Sequence, residues 1–233
     1  MERRDLLIHL GPHKTGSTYI QKMIVMNQDN APANIQLIPK RGQWSTPLHK
    51  VLVEHQTPED IGKYKDDIVE SADIFGSSIT SEAALFSDED LLGALPTRRK
   101  RKGLYPTAGL ILPLIAEGLQ HSGVAVRFAF FVRDYRDWLQ SLHAQTYGDK
   151  DRSYAPKTFR TRFDLPRDWT DLQNRMDASL PKGSILYFDY HAEAASHYFG
   201  QSLFKAAGLT QTHLDQFTWI KPVNTRADVL KLD

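Results

Sequence analysis

The residues near the start of the chain that are equipped for chemistry are one lysine and three hydroxyls: Lys14, Thr15, Ser17 and Thr18, set around Gly11 and Gly16. Before them, Leu6-Leu7-Ile8-His9-Leu10 is an apolar run of strand length. After them, Tyr19/Met23 and Ile20/Ile24 recur one helical turn apart. A strand, a glycine-bounded loop and a helix in that order build an anion cradle. The first-turn amides of a helix lack intrahelical acceptors, and the helix dipole places positive charge at the same end. Lys14 adds a mobile cation and the hydroxyls add donors.

The loop of nucleoside triphosphatases, G-x-x-x-x-G-K-[ST], carries its lysine directly after the second glycine. Gly11 and Gly16 have that spacing, but Ser17 stands in the lysine's place and the lysine has moved to position 14. The core Lys14-Thr15-Gly16-Ser17-Thr18 resembles instead the 5′-phosphosulfate loop of sulfotransferases that use 3′-phosphoadenosine 5′-phosphosulfate (PAPS). A second segment, Phe131-Val132-Arg133-Asp134 through Ser141 to Gln145, sends an arginine out of an apolar strand into an acid-capped helix, with a serine eight residues on. A guanidinium and a hydroxyl so placed can converge on one phosphate. This segment resembles the Arg…Ser pair that holds the 3′-phosphate of PAPS, most closely in bacterial sulfotransferase-like proteins. The resemblance implies that Gly11, Lys14, Thr15, Gly16, Ser17 and Thr18 bind the 5′-phosphosulfate and that Arg133 and Ser141 bind the 3′-phosphate. It further implies PAP as product and no metal. The chain departs from many eukaryotic carbohydrate sulfotransferases at Tyr135 and Trp138, where those have proline and arginine.

Positioning these groups requires a sheet. Ile35–Ile38 reads as a short strand stopped by Pro39. Residues 44–72 read as mostly helical, with a helix start at Thr57-Pro58-Glu59-Asp60. The apolar run from Ala72 to Thr80 reads as a strand ending at Ser81-Glu82. Ser87-Asp88-Glu89-Asp90 opens a short helix. Ile111, Leu114, Ile115 and Leu119 mark a helix interrupted or kinked at Pro113, and Val124–Val132 is a buried strand. Residues 147–168 read as a long active-site loop or lid. A helix over Trp169–Leu180, a strand over Ser184–Phe188 and a helix over Ala192–Ala207 closed by Gly208 follow. The alternation predicts an α/β chain, a three-layer αβα fold with a mainly parallel sheet, in a single domain over residues 1–233. Ligands in such sheets lie beyond the carboxyl ends of the strands. On this reading the loop, Glu82 and Arg133 share one rim.

An acceptor hydroxyl or amine needs a base. Bacterial relatives have a Ser-Glu element that Ser81-Glu82 resembles, and related carbohydrate enzymes use a glutamate, so the resemblance implies Glu82 as base with Ser81 near the acceptor. The competing reading of Glu82 is a surface or capping residue. His13 is the second candidate, because imidazole titrates in the useful range; His9, inside the strand, reads as packed. No histidine has metal-ligand spacing.

The 233 residues are 41% apolar and 24% charged, with formal net charge +1, which argues against nucleic acid or an anionic membrane as partner. The partner expected is a small-molecule or carbohydrate acceptor. With no cysteine there are no disulfides and no thiolate chemistry. No segment reads as a membrane span, and the expected location is cytoplasmic. The cluster Arg98–Lys102 reads as a solvated loop or a surface for an acidic acceptor, and Val223-Asn224-Thr225-Arg226 resembles a tail that in some sulfotransferases closes over the nucleotide. Two other readings stand beside the transferase. One is a P-loop kinase whose Walker B strand is Ile185–Asp189; the other is an idle nucleotide- or glycan-binding module.

Overall fold

Residue alternation in the first strand sets the layering. In β1 (Arg4–His9), Leu6 and Ile8 point to one face of the sheet and Leu7 to the other. The computed structural model describes residues 4–40, 57–98, 103–148 and 155–220. The other strands are β2 (Ile35–Ile38), β3 (Ala83–Ser87), β4 (Val124–Val132) and β5 (Ile185–Asp189), and all pair in parallel in the order β2-β3-β1-β4-β5.

On the first face, Leu6, Ile8, Phe86, Phe128 and Phe130 meet α3 (Lys65–Ser77), α4 (Ala108–His121), α5 (Tyr135–Tyr147) and α7 (Thr170–Ser179) through Phe75, Ile115, Trp138 and Met176. A short α2 (Pro58–Lys63) precedes α3, and α6 (Pro156–Phe163) lies between α5 and α7. On the second face, Leu7, Leu37, Leu85 and Phe131 meet α1 (Ser17–Met26) and α9 (Gln201–Ala206). The remaining helices are α8 (Tyr190–Ala195) and α10 (Gln211–Asp215). The fold is therefore a three-layer αβα sandwich around an all-parallel sheet. From β1 the chain crosses to one side for β2 and β3, then to the other for β4 and β5. The crevice of such a reversal opens above the carboxyl end of β1, where the loop 11–18 stands.

Four sequence expectations are corrected. Residues Ala72–Ser77 are the end of α3 rather than a strand. Ile68, Val69, Ala72 and Phe75 form its buried stripe, and Asp73 between them marks the helical period. The strand is Ala83–Ser87, so Glu82 precedes a strand rather than ending one. Of the two alternatives at Pro113 the interruption is overturned, since α4 is one helix from Ala108 to His121. The 147–168 stretch contains α6, started by Pro156. Finally, Ala192–Ala207 is two helices, separated where Gly200 turns left-handed. Arg99–Lys102 and Val223–Arg226 lie outside the described residues. Among those described, no helix is long and apolar enough to cross a membrane.

Candidate anion-binding site

The loop after β1 is shaped by what happens to its carbonyls. Gly11 O accepts from the Ser17 hydroxyl at 3.1 Å. Pro12 O accepts from Thr15, from its N–H at 3.1 Å and its hydroxyl at 2.6 Å. His13 O accepts from Trp138 Nε1 at 2.8 Å, and Lys14 O from Arg133 Nη1 at 2.9 Å. Four consecutive carbonyls are thus held by donors within the protein, and of the turn's amides His13 N and Thr15 N are spent on Tyr105 OH and Pro12 O. Helix α1 begins at Ser17 with no side-chain cap, so its amide end is left for a ligand. Lys14 itself sits at φ 72, a left-handed conformation that costs a non-glycine residue about 1–2 kcal/mol and is characteristic of ligand-holding turns.

Arg133 leaves β4 as predicted and reaches the loop, not Asp134 or Asp137. Asp134 caps α5 by accepting from Arg136 N and Asp137 N, each at 3.0 Å. The Arg133 carbonyl is held by Trp169 Nε1 at 2.7 Å, and its guanidinium stacks 4.9 Å from the Tyr190 ring. Arg133 Nε is buried and has no hydrogen-bond partner. Gly11, Lys14, Gly16, Ser17, Thr18 and Arg133 are gathered at one place. Within it the hydroxyls divide: Thr15 is fully buried and spent on Pro12 O, Ser17 is 6% exposed, and Thr18 faces solvent. Ser141 is half-buried two turns into α5, roughly 9 Å along the helix from its start, and makes no hydrogen bond to Arg133.

Glu82 is not at this rim. It is exposed, its carbonyl accepts from Asp5 N at 2.8 Å, and its carboxylate meets Asn34 at 3.3 Å. Because β1 and β3 are parallel with Asp5 opposite Ala83, Glu82 lies at the amino end of the sheet, roughly 16 Å from the loop at 3.3 Å per residue. Ser81 shares that end.

The acids beside the loop are Asp88, Glu89 and Asp90, at the carboxyl end of β3. Asp88 N donates to His9 O at 3.0 Å, which fastens this turn to β1. Lys40, just past β2, bridges all three, at 2.9 Å from Asp88, 3.2 Å from Glu89 and 2.8 Å from Asp90. Burial pushes Asp88 up to about 6 against the opposing pull of Lys40. At Asp90 burial acts in the same upward direction, but hydrogen bonds from His13 and Lys40 and the Lys40 charge outweigh it and hold the carboxyl well below its usual range.

His13 is positioned rather than free to act as base. Its backbone N–H donates to Tyr105 OH at 3.0 Å, and the same hydroxyl lies 2.9 Å from His13 Nδ1. Burial raises the Tyr105 pKa, so the phenol stays protonated. His13 Nε2 faces Asp90 at 3.7 Å, and both ring nitrogens therefore already meet partners within the protein.

The buried groups have opposite linkage. Burial lowers His9 to about 3, so its contribution to stability is complete above pH 6.5 and is lost as pH falls toward 3. Asp88, raised to about 6, contributes in the other sense: stability is present below pH 3.8 and declines as pH rises through 6. Between pH 4 and 6 the two slopes oppose each other. In Asp88→Asn the His9 slope is uncompensated, so stability falls with acidification more steeply than in the wild type, by at most about 1 kcal/mol per pH unit. Urea titrations at half-unit pH steps check this; parallel curves would refute it.

Sequence reading gave no part in the site to Tyr105, Trp138, Trp169, Tyr190 or Lys40, and read the Asp88–Asp90 turn only as a helix start. The turn had a usable signal, an acidic triplet one residue past the short apolar run Ala83-Ala84-Leu85-Phe86. Comparison of the chain with protein-family models, with curated proteins and with solved structures returns no match in any of the three.

Proposed function

We propose that the chain is a PAPS-dependent sulfotransferase acting on a hydroxyl or amine of a small-molecule or carbohydrate acceptor. The observation that carries the reading is the tie between its two anion sockets, Arg133 Nη1 to Lys14 O at 2.9 Å. One nucleotide with phosphates at its 5′ and 3′ positions is the ligand that two such adjoining sockets suit. The uncapped start of α1 and the unpartnered Arg133 Nε suit anionic oxygens.

In this reaction the bond between sulfur and the 5′-phosphate oxygen breaks, a bond from sulfur to the acceptor forms, and the acceptor's proton leaves. Lys14 and the loop amides stabilise the charge left on PAP. The proton goes to the acid turn, where Glu89 and Asp90 have side chains 20% and 22% exposed. Glu89 takes the role given to Glu82 by sequence, because its carboxylate also meets Gln21 of α1 beside the loop. Among the described residues, three carboxylates against the Lys40 charge favour neutral or amino-bearing acceptors over polyanions.

The kinase reading loses its acid. Asp189 is exposed on the outer strand β5, and its carboxylate caps α8 by accepting from Ala192 N at 2.9 Å.

Incubation with radiolabelled PAPS and a panel of neutral, amino-bearing and polyanionic acceptors tests the proposal. Label is expected to transfer to neutral or amino-bearing acceptors without added metal. Glu89→Gln is expected to lower kcat by about 10²–10⁴, the range for loss of a general base, and Glu82→Gln to leave it unchanged. Magnesium-dependent ATP turnover without PAP binding would sink the reading.

A further inference from the structure

His9 ends β1 directly beneath the loop. It is fully buried, edge-on to Phe131 at 4.9 Å, and its Nδ1 lies 2.9 Å from Ser87 Oγ. Its Nε2 is also buried and has no hydrogen-bond partner. An unsatisfied buried ring nitrogen costs about 1–3 kcal/mol, so its place calls for an explanation.

The surroundings provide one. A Cβ placed on Gly11 would lie 2.5 Å from Ser17 Oγ, 2.6 Å from His9 Cε1 and 3.0 Å from His9 Nε2. The unpartnered edge of the imidazole and the Ser17 hydroxyl therefore converge on one spot, the place a Cβ of residue 11 would fill, and only glycine leaves that spot open. The Ser17 proton is directed at Gly11 O, within a turn whose other face is the anion cradle.

We propose that His9 is a positioning residue for the anion in the loop, acting through Ser17. In the loaded state Ser87 donates to His9 Nδ1, His9 Nε2–H donates to Ser17 Oγ, and Ser17 turns its proton from Gly11 O to the anion. The imidazole stays neutral throughout, and only the hydroxyl protons and the tautomer select a direction. Three hydrogen bonds then run one way toward the negative charge, and each polarises the next. Ser87 immediately precedes the Asp88–Asp90 turn, so the same relay connects the acid side of the rim with the anion side. This proposal rests on the loop being an anion cradle, but not on the anion being PAPS.

The test uses the full-length protein, with inorganic phosphate and PAP as separate probes. Nitrogen-15 spectra of the histidine side chains are expected to show His9 Nε2 protonated and its resonance displaced at phosphate saturation. An unprotonated Nε2 in the phosphate-loaded protein, or a resonance that phosphate leaves unmoved, overturns the relay. His9→Asn keeps an atom near the Nδ1 position for Ser87 and removes Nε2. It is expected to weaken phosphate binding by about tenfold, the scale of one charge-assisted hydrogen bond. Ser17→Ala is expected to have a similar effect, and the double variant to add little to either. Full additivity of the two losses would also overturn the relay. If phosphate moves His9 and PAP does not bind, the relay stands and the sulfotransferase reading fails.

Discussion

Arg133→Ala is expected to lower affinity for PAP by between about 30-fold and several thousandfold, the range for truncating one partner of a desolvated charged contact, about 2–5 kcal/mol. The guanidinium does two things at once. Through Nη1 it fixes Lys14 O and with it the orientation of the turn; its Nε, buried and without a partner, is a donor left over for a ligand. Arg133→Lys is expected to recover less than a tenth of the loss, because an ammonium can hold Lys14 O or the ligand but has no planar fork to hold both, and it stacks less well on Tyr190. Stability should fall by only about 1 kcal/mol, one hydrogen bond. Trp138 and Trp169 still fasten His13 O and the backbone of residue 133. Calorimetric titration with PAP alongside urea unfolding separates the two effects. Unchanged PAP affinity in Arg133→Ala would remove the central support of the proposed function.

Gly16→Ala is expected to lower stability by about 2–5 kcal/mol. Gly16 caps α1 at φ 87 and ψ 11, where an alanine costs about 1–2 kcal/mol. Its Cβ would also stand 2.6 Å from the Phe199 ring, and overpacking of that kind adds about 1–3 kcal/mol. Phe199 cannot easily yield, since it is wedged against Tyr19, Phe131 and Tyr190 at 5.5, 5.6 and 5.5 Å. Combining Gly16→Ala with Phe199→Leu removes the collision but not the backbone strain. The pair should therefore lose measurably less than the sum of its single losses in urea unfolding. Strict additivity would show that the ring does not enforce the glycine.

The αβα architecture was legible because its signals are local. β1 and β4 are apolar runs bounded by turn chemistry, and Thr57, Asp134 and Gly208 mark helix ends by their own residue types. The reading failed at Ala72–Ser81, where a short apolar run satisfies a strand pattern and the final turns of a helix equally well. The decision went to the helix because Ile68, Val69, Ala72 and Phe75 present one face to the sheet. That single reversal carried Glu82 from the expected active rim to the opposite end of the sheet. The acid turn at Asp88–Asp90 was legible as a helix start, but its partner Lys40 comes from another strand end.

What the chain's order of residues determined by itself is a lysine loop between a buried strand and a helix, and an arginine leaving a second buried strand. Each is written in contiguous residues, and contiguous residues obey the short-range sterics and periodicity of strands and helices. Only the tertiary structure decided which acids stand beside the loop, why Thr15 is spent internally, and that a buried histidine underlies Gly11. Those outcomes depend on strand order and parallel register, which follow from how two faces of one sheet are covered by residues far apart in the chain.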